Sequence, residues 1–232
     1  MNKNKKSIHI FWKKNKEIKY LFDIFGQTNI KIVGGAVRHA LRNKVTNDID
    51  LAVNIEPFEV KKILKKFKIK HKDISKGHGT VIILTNTGRI EITSLRRDIK
   101  TYGRKAEVEF TKSFEEDSNR RDFTVNSIYA DYEGKLYDPH NGIIDLEKNI
   151  IKFIGNPENR IKEDHLRLLR YFRMLGTYCK YESEVEKKSL SACVKNFYKI
   201  ENLSRERIKL EFFKLILSDN IDFAIFDFSL KS

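Results

Sequence analysis

Residues 30–53 read IKIVGGAVRHALRNKVTNDIDLAV, and the rest of the chain is organised around them. The segment is a short apolar run, a glycine pair, a short helix, a turn, and then Asp48-Ile49-Asp50 opening a second apolar run. Along a strand, residues i and i+2 point the same way, so Asp48 and Asp50 are expected to project side by side. Two carboxylates so placed repel each other unless a cation lies between them. Hard oxygen ligands suit Mg²⁺, which keeps water and substrate phosphates among its ligands. Gly34 and Gly35 let the backbone come close to a ligand, and their amides with the following helix N-terminus favour an anion. Arg38 adds a positive charge one helical turn on. Taken singly, a glycine pair reads as a tight turn and D-x-D as a solvated strand end. Together, within one short segment, they predict a site for a nucleoside triphosphate and a metal.

This arrangement resembles the nucleotidyltransferase signature GGxVRD…DxD of the polymerase-beta-like superfamily. The form is that of class II tRNA CCA-adding enzymes and bacterial poly(A) polymerases. His39 stands where the family usually has Asp after GGxVR.

With 232 residues the chain can form one large or two small domains with proper cores. Its 40% hydrophobic and 11% aromatic content is that of a globular protein. Lys and Arg number 46 against 32 Asp and Glu, a net charge of +14 that favours a polyanionic partner, nucleic acid above all. The richness in Lys, Asn and Ile also fits a base-composition bias in the gene, but the Arg residues that fall inside motifs favour the first reading. Cys179 and Cys193 have no metal-ligand spacing around them and suit free thiols in a reducing compartment. No apolar run has transmembrane length, and MNKNKKS leads into no signal-peptide core. The expectation is a cytoplasmic protein with no membrane partner.

Along the chain, residues 1–25 read as a basic tail and a leading helix, with Ile18, Leu21, Phe22 and Phe25 at helical spacing and Gly26 as its stop. A basic amphipathic helix is expected over 58–67, behind Pro57. Strands are expected over 69–74, 80–84 and 89–95, the last two joined by a Thr-Asn-Thr-Gly turn. Residues 96–109 read as an aperiodic loop around Gly103. Residues 114–130 read as helical and run into a small hairpin at Glu133-Gly134. A turn-rich connection over 138–145 precedes a short strand over 150–154, and from Asn156 onward the pattern is helical only. Leu203 and Ile208 flank Ser204 as a hydrophobic staple around an N-cap, with Ile208, Phe212 and Leu215 on that helix's apolar face. The fold class is therefore α+β: a mixed sheet flanked by helices over 26–155, followed by an all-helical segment over 156–232.

Three further constellations carry chemistry. Glu91, in RIEIT, would share a strand face with Arg89 and Thr93. It reads equally as a third carboxylate for two-metal phosphoryl transfer and as a surface glutamate. In Arg120-Arg121-Asp122-Phe123-Thr124-Val125-Asn126, helical spacing would put Asp122 and Asn126 on one side, with an arginine pair to meet phosphate. In EDHLRLLRYFR, from Glu163 to Arg173, the same spacing would align Asp164, Arg167 and Arg170, with Leu166, Leu169 and Phe172 packing on another face. Asp acceptors beside an Arg fork can hydrogen-bond the edge of a base, although alone such a helix reads as ion-paired and amphipathic.

RRDFTVNSIYA resembles the family's RRDxTxNAL motif, which implies sugar and triphosphate contacts for Arg120, Arg121, Asp122 and Asn126. The 163–173 segment is similar to EDxxRxLRxxRF. That resemblance implies recognition of CTP and ATP by Asp164 and Arg167, with Arg170 and Arg173 supporting the triphosphate or the fold. DPHNGIIDL, over 138–146, is similar to the family's hinge motif, and LSRERI, over 203–208, to its last neck motif. Tyr102 replaces an acidic residue in the loop the family uses between C and A addition. Body and tail domains found in family members are not matched, so the resemblance implies a compact or truncated enzyme. What it implies overall is a polymerase-beta-like head, a helical neck, and template-independent addition of CCA from CTP and ATP to the tRNA 3′ end. Asp48 and Asp50 would hold two Mg²⁺ ions, with Glu91 beside them. Poly(A) polymerase and CC- or A-only adding enzymes share these motifs. An alternative of another class is a non-catalytic RNA-binding remnant, or half of a split enzyme whose separate polypeptide partner supplies body and tail function.

Overall fold

A computed structural model describes residues 8–75, 77, 79–86, 88–102 and 105–222. The basic tail over 1–7, Gly103, and the side chain of Tyr102 lie outside the described residues. The chain forms two compact units that are discontinuous in sequence. The first takes the chain up to Arg97 together with Val108–Ser118 and Asn126–Pro139. The second takes Asp98–Glu107, Asn119–Val125 and the chain from His140 on.

In the first unit, α1 (Lys16–Phe25) starts where the Asn15 side chain accepts from the Ile18 amide at 3.0 Å. Its Ile18, Leu21, Phe22 and Phe25 are buried, and it stops at Gly26, whose φ of +86° suits glycine. β1 (Ile30–Val33), α2 (Gly35–Leu41) and β2 (Asp48–Val53) follow, then α3 (Pro57–Lys66), β3 (Lys72–Ser75), β4 (Thr80–Leu84) and β5 (Arg89–Ser94). β6 (Arg96–Tyr102) and β7 (Lys105–Phe110), whose residues 98–107 count with the second unit, make a separate two-stranded sheet; α4 (Phe114–Asn119), β8 (Tyr129–Ala130) and β9 (Leu136–Tyr137) come next. Seven strands form one sheet in the order β3-β4-β5-β2-β1-β8-β9. β2 and β5 run parallel, while the other neighbouring pairs are antiparallel. α2 packs on β1 and β2, and α3 on β5.

Four expected elements differ. Residues 96–109 contribute to paired strands, not a loop. Arg97 donates to Glu109 through Nε and Nη2 at 2.9 and 2.7 Å, and such charged strands show no apolar alternation to read. Helix ends at Asn119 in the 114–130 stretch. A 3-10 turn over Thr124–Asn126 and then β8 take the rest, with Phe123, Val125, Ile128, Tyr129 and Ala130 all buried. Continuous burial erases the period that separates strand from helix. The first of the three strands starts late, at Lys72, after Lys68 adopts φ +56°. Residues 150–154 make only a single bridge, Phe123 to Phe153.

The second unit holds α5 (Gly142–Glu147), α6 (Pro157–Glu163), α7 (Leu166–Tyr178), α8 (Lys187–Lys195) and α9 (Arg205–Ile216). α6 is capped by Asn156, which accepts from the Asn159 amide at 3.1 Å, and Pro157 fills its first turn. α7 packs on α9 and α6 on α8. Phe123, Phe153 and Tyr171 are fully buried, with ring centroids 4.8 Å apart for the first pair and 5.6 Å for the stacked second. The inward stripe of α7 is Leu168, Tyr171, Phe172 and Leu175; Leu166 and Leu169 are only half-buried. Asp164 is extended (φ −150°, ψ 108°) between α6 and α7, so it does not share a helix face with Arg167. On α9, Phe212 is half exposed, because Glu211 takes the inward place opposite Arg173. Ser204 occupies the N-cap position without a side-chain cap bond. Among the described residues no helix is long and apolar enough to cross a membrane.

Candidate active site

In the first unit, β2 alternates as D-x-D requires: Asp48 and Asp50 are exposed, while Ile49 and Leu51 are buried. In the parallel pairing with β5, Asp50 lies opposite Glu91 and Asp48 opposite Arg89. Cross-strand partners share a sheet face, so Asp48, Asp50 and Glu91 form one carboxylate cluster. The electrostatics reflect it. Burial, then the charge of Asp50, raises the pKa of Glu91 from its ordinary value, with Arg89 opposing. Arg89 Nη2 lies 2.6 Å from Glu91 Oε1.

Gly34 adopts φ +69° with ψ −119°, a conformation only glycine takes freely. An added Cβ there would sit 3.8 Å from the Asn126 carbonyl oxygen and 3.9 Å from Asp50 Oδ2, so the glycine lies directly over the D-x-D strand. Gly35 opens α2, and Arg38 on α2 donates to Asn126 Oδ1. His39, next along α2, is half-buried. Burial and then Arg38 lower its pKa, while a bond to the Val45 backbone opposes the shift.

Among the described residues no three His, Cys, Asp or Glu side chains converge closely enough to bind a metal unaided. The donor set fits Mg²⁺ nonetheless. Two exposed carboxylates share one face, a third crowded by their charge lies beside them, and water and phosphate oxygens supply the other ligands.

The other expected site residues lie in the second unit, except Asn126, so the RRDFTVN motif is divided between the units. Asp122 is buried and ion-pairs with Arg170 at 2.7 Å, which holds the Arg170 charge in place. Its other oxygen accepts from the Phe123 amide at 2.8 Å. Asp164 accepts from the Leu166 amide at 3.2 Å and from Arg207 Nη2 at 3.1 Å. Arg167 is mostly buried and donates to the Arg120 and Arg160 carbonyls, each at 3.0 Å, and to Glu163 at 2.6 Å. Arg173 donates to Glu211 at 2.7 Å and ties α7 to α9. Arg120 and Arg121 are half-buried. Sequence reasoning assigned no role to Arg160, Glu163 or Arg207. The Arg160–Glu163–Arg167 spacing of three and four residues was a legible signal, while Arg207, distant in sequence from Asp164, left none.

The poly A polymerase head domain family model matches residues 30–152, more than half of the chain. The chain belongs to the poly A polymerase head domain family. This member is 35% identical over 212 residues to the mitochondrial CCA tRNA nucleotidyltransferase 1 of Mus musculus, covering 90% of this chain and 49% of the relative. It is 37% identical over 190 residues to the CCA-adding enzyme of Enterococcus faecalis, covering 81% and 45%. The crystal structure of the Bacillus stearothermophilus CCA-adding enzyme in complex with CTP superposes with a TM-score of 0.77 at 29% identity, over 90% of this chain and 51% of that one. The chain spans about half the length of the relatives it matches. The family and the α+β fold are those that the glycine pair, D-x-D and RRD motifs implied.

Proposed function

We propose that this chain is a template-independent RNA nucleotidyltransferase that adds CCA, from CTP and ATP, to the 3′ end of tRNA in the cytoplasm. The observation that carries this reading is the Asp48–Asp50–Glu91 face beneath Gly34, in a chain alike over most of its length to CCA-adding enzymes. Nucleotidyltransferases of this kind are generally metal-dependent. Asp48 and Asp50 would hold two Mg²⁺ ions, with Glu91 as the nearest further acceptor. Bound Mg²⁺ supplies Lewis acidity, which acidifies the RNA 3′-hydroxyl and offsets charge on the leaving pyrophosphate.

The protein's own residues then bind and orient. Arg120 and Arg121 offer forked donors to the triphosphate, and Asp122, fixed by Arg170, accepts from the sugar. Gly34, Gly35 and the Arg38–Asn126 pair keep the backbone beside β2 open to phosphate. Asp164 and Arg167 read the base edge with acceptors and donors of the protein. The buried thiols of Cys179 and Cys193 agree with a reducing compartment. Sequencing the 3′ ends made from all four nucleotides on tRNA lacking CCA tests the reading. Ends restricted to C, C and A are expected, and Arg167→Ala is expected to lose that restriction. Unrestricted addition by the wild-type chain would overturn base reading by Asp164 and Arg167.

A further inference from the structure

Three consecutive peptide carbonyls, those of Arg120, Arg121 and Asp122, lie between α4 and the 3-10 turn, outside any helix or named strand. Acceptors in such a place need partners. Each finds one within the second unit. The Ile154 amide donates to the Asp122 carbonyl at 3.0 Å, Arg160 Nη2 to the Arg121 carbonyl at 2.7 Å, and Arg167 Nη2 to the Arg120 carbonyl at 3.0 Å. The two guanidinium groups are joined by one carboxylate: Arg160 Nη1 and Arg167 Nη1 meet the same Glu163 Oε2, at 2.7 and 2.6 Å. Both arginine side chains are nearly buried, 12% and 11% exposed, so the bonds are shielded from water. A planar fork holds a carbonyl and a carboxylate in two fixed directions, which a lysine ammonium on its flexible stem does not.

We infer that Arg160 and Glu163 are positioning residues for the nucleotide. They fix the backbone from which Arg120 and Arg121 reach the triphosphate, and they set the guanidinium of Arg167, which reads the base. This deepens the proposed function and rests on it. The clamp links the two ends of the nucleotide mechanically, because Arg167 is at once a base reader and a peg for the Arg120 carbonyl. Release of Glu163 leaves two buried guanidinium groups facing each other, and release of Arg160 leaves the Arg121 carbonyl unheld.

The test compares wild type with Arg160→Lys, Arg160→Met and Glu163→Gln in the full chain. CTP and ATP binding is measured by calorimetry without RNA, transfer by steady-state kinetics, and folding by thermal melting. The inference expects Kd and KM for CTP to rise about tenfold, the effect of losing a hydrogen bond to a charged group, with kcat changed less than about twofold. Arg160→Lys, which keeps the charge and most of the volume, is expected to recover folding stability more fully than affinity, and it decides the matter if Arg160→Met does not fold. Variants that melt earlier yet bind CTP within about twofold of wild type overturn the inference and leave the proposed function standing. Wild-type protein that binds neither CTP nor ATP overturns the proposed function, and the inference with it.

Discussion

At the residue scale, the site is a problem of like charge on one sheet face. Glu91 has its pKa raised by burial and by Asp50. A group of that kind contributes its full stability below its unfolded value, near 4.5, and the contribution falls away as pH rises through the higher folded value. Ionised Glu91 therefore costs stability at neutral pH in metal-free protein. Glu91→Gln is expected to melt higher than wild type at pH 7 in EDTA and to match it near pH 4. An unchanged or lower melting temperature at pH 7 would contradict this. His39 behaves in the opposite sense. Its pKa is lowered from 6.5, so its contribution is complete above that value and lost as pH falls below it. Urea denaturation at pH 7.5 and 5.5 should show a smaller acid loss in His39→Asn than in wild type. Gly34→Ala should cost about 1–3 kcal/mol through backbone strain alone, since its Cβ would meet only ordinary contacts. The D-x-D and glycine-pair positions were legible because strand alternation and positive φ leave simple residue signatures. The Arg38–Asn126 bond was not, because Asn126 was read on a helix that does not form there.

At the element scale, one-sided amphipathic helices were the most readable. α1 buries the four apolar residues its spacing marked, and α3 starts at its proline. β2 and β5 were legible as strands, whereas their parallel pairing, which brings Glu91 to Asp50, was not. β6, β7 and β8 escaped for two physical reasons: charged strands lack alternation, and a fully buried strand lacks period. α9 escaped in part because a buried ion pair, not an apolar residue, faces α7. Glu211 is 7% exposed and rests on Arg173 at 2.7 Å. Removing the arginine strands a buried carboxylate, so Arg173→Ala should cost about 3–5 kcal/mol in urea denaturation, eased slightly by Lys214. The double variant Arg173→Met/Glu211→Met should recover most of that loss, and a strictly additive cycle would show that the pair does not couple.

At the scale of the whole molecule, the net charge of +14 suits a polyanionic substrate. Binding to tRNA is expected to weaken steeply with salt; a protein that contacts about six phosphates loses roughly a thousandfold in affinity between about 50 and 200 mM. Filter binding across that range checks it, and a flat response would remove nucleic acid as the partner the charge selects. The family was legible from motif order alone, since each motif carries its chemistry in a short window. The two compact units were less so, because the contacts that tie Asn119–Val125 to the second unit come from residues well downstream, among them Phe153, Arg160, Arg167 and Arg170. The most direct measurement is incorporation of labelled CTP and ATP by the purified chain, with Mg²⁺, into tRNA lacking its CCA end, against the Asp48→Ala/Asp50→Ala variant. Addition of C, C and A that vanishes in the variant is the predicted result; incorporation no greater than that of the variant would contradict catalysis by this chain.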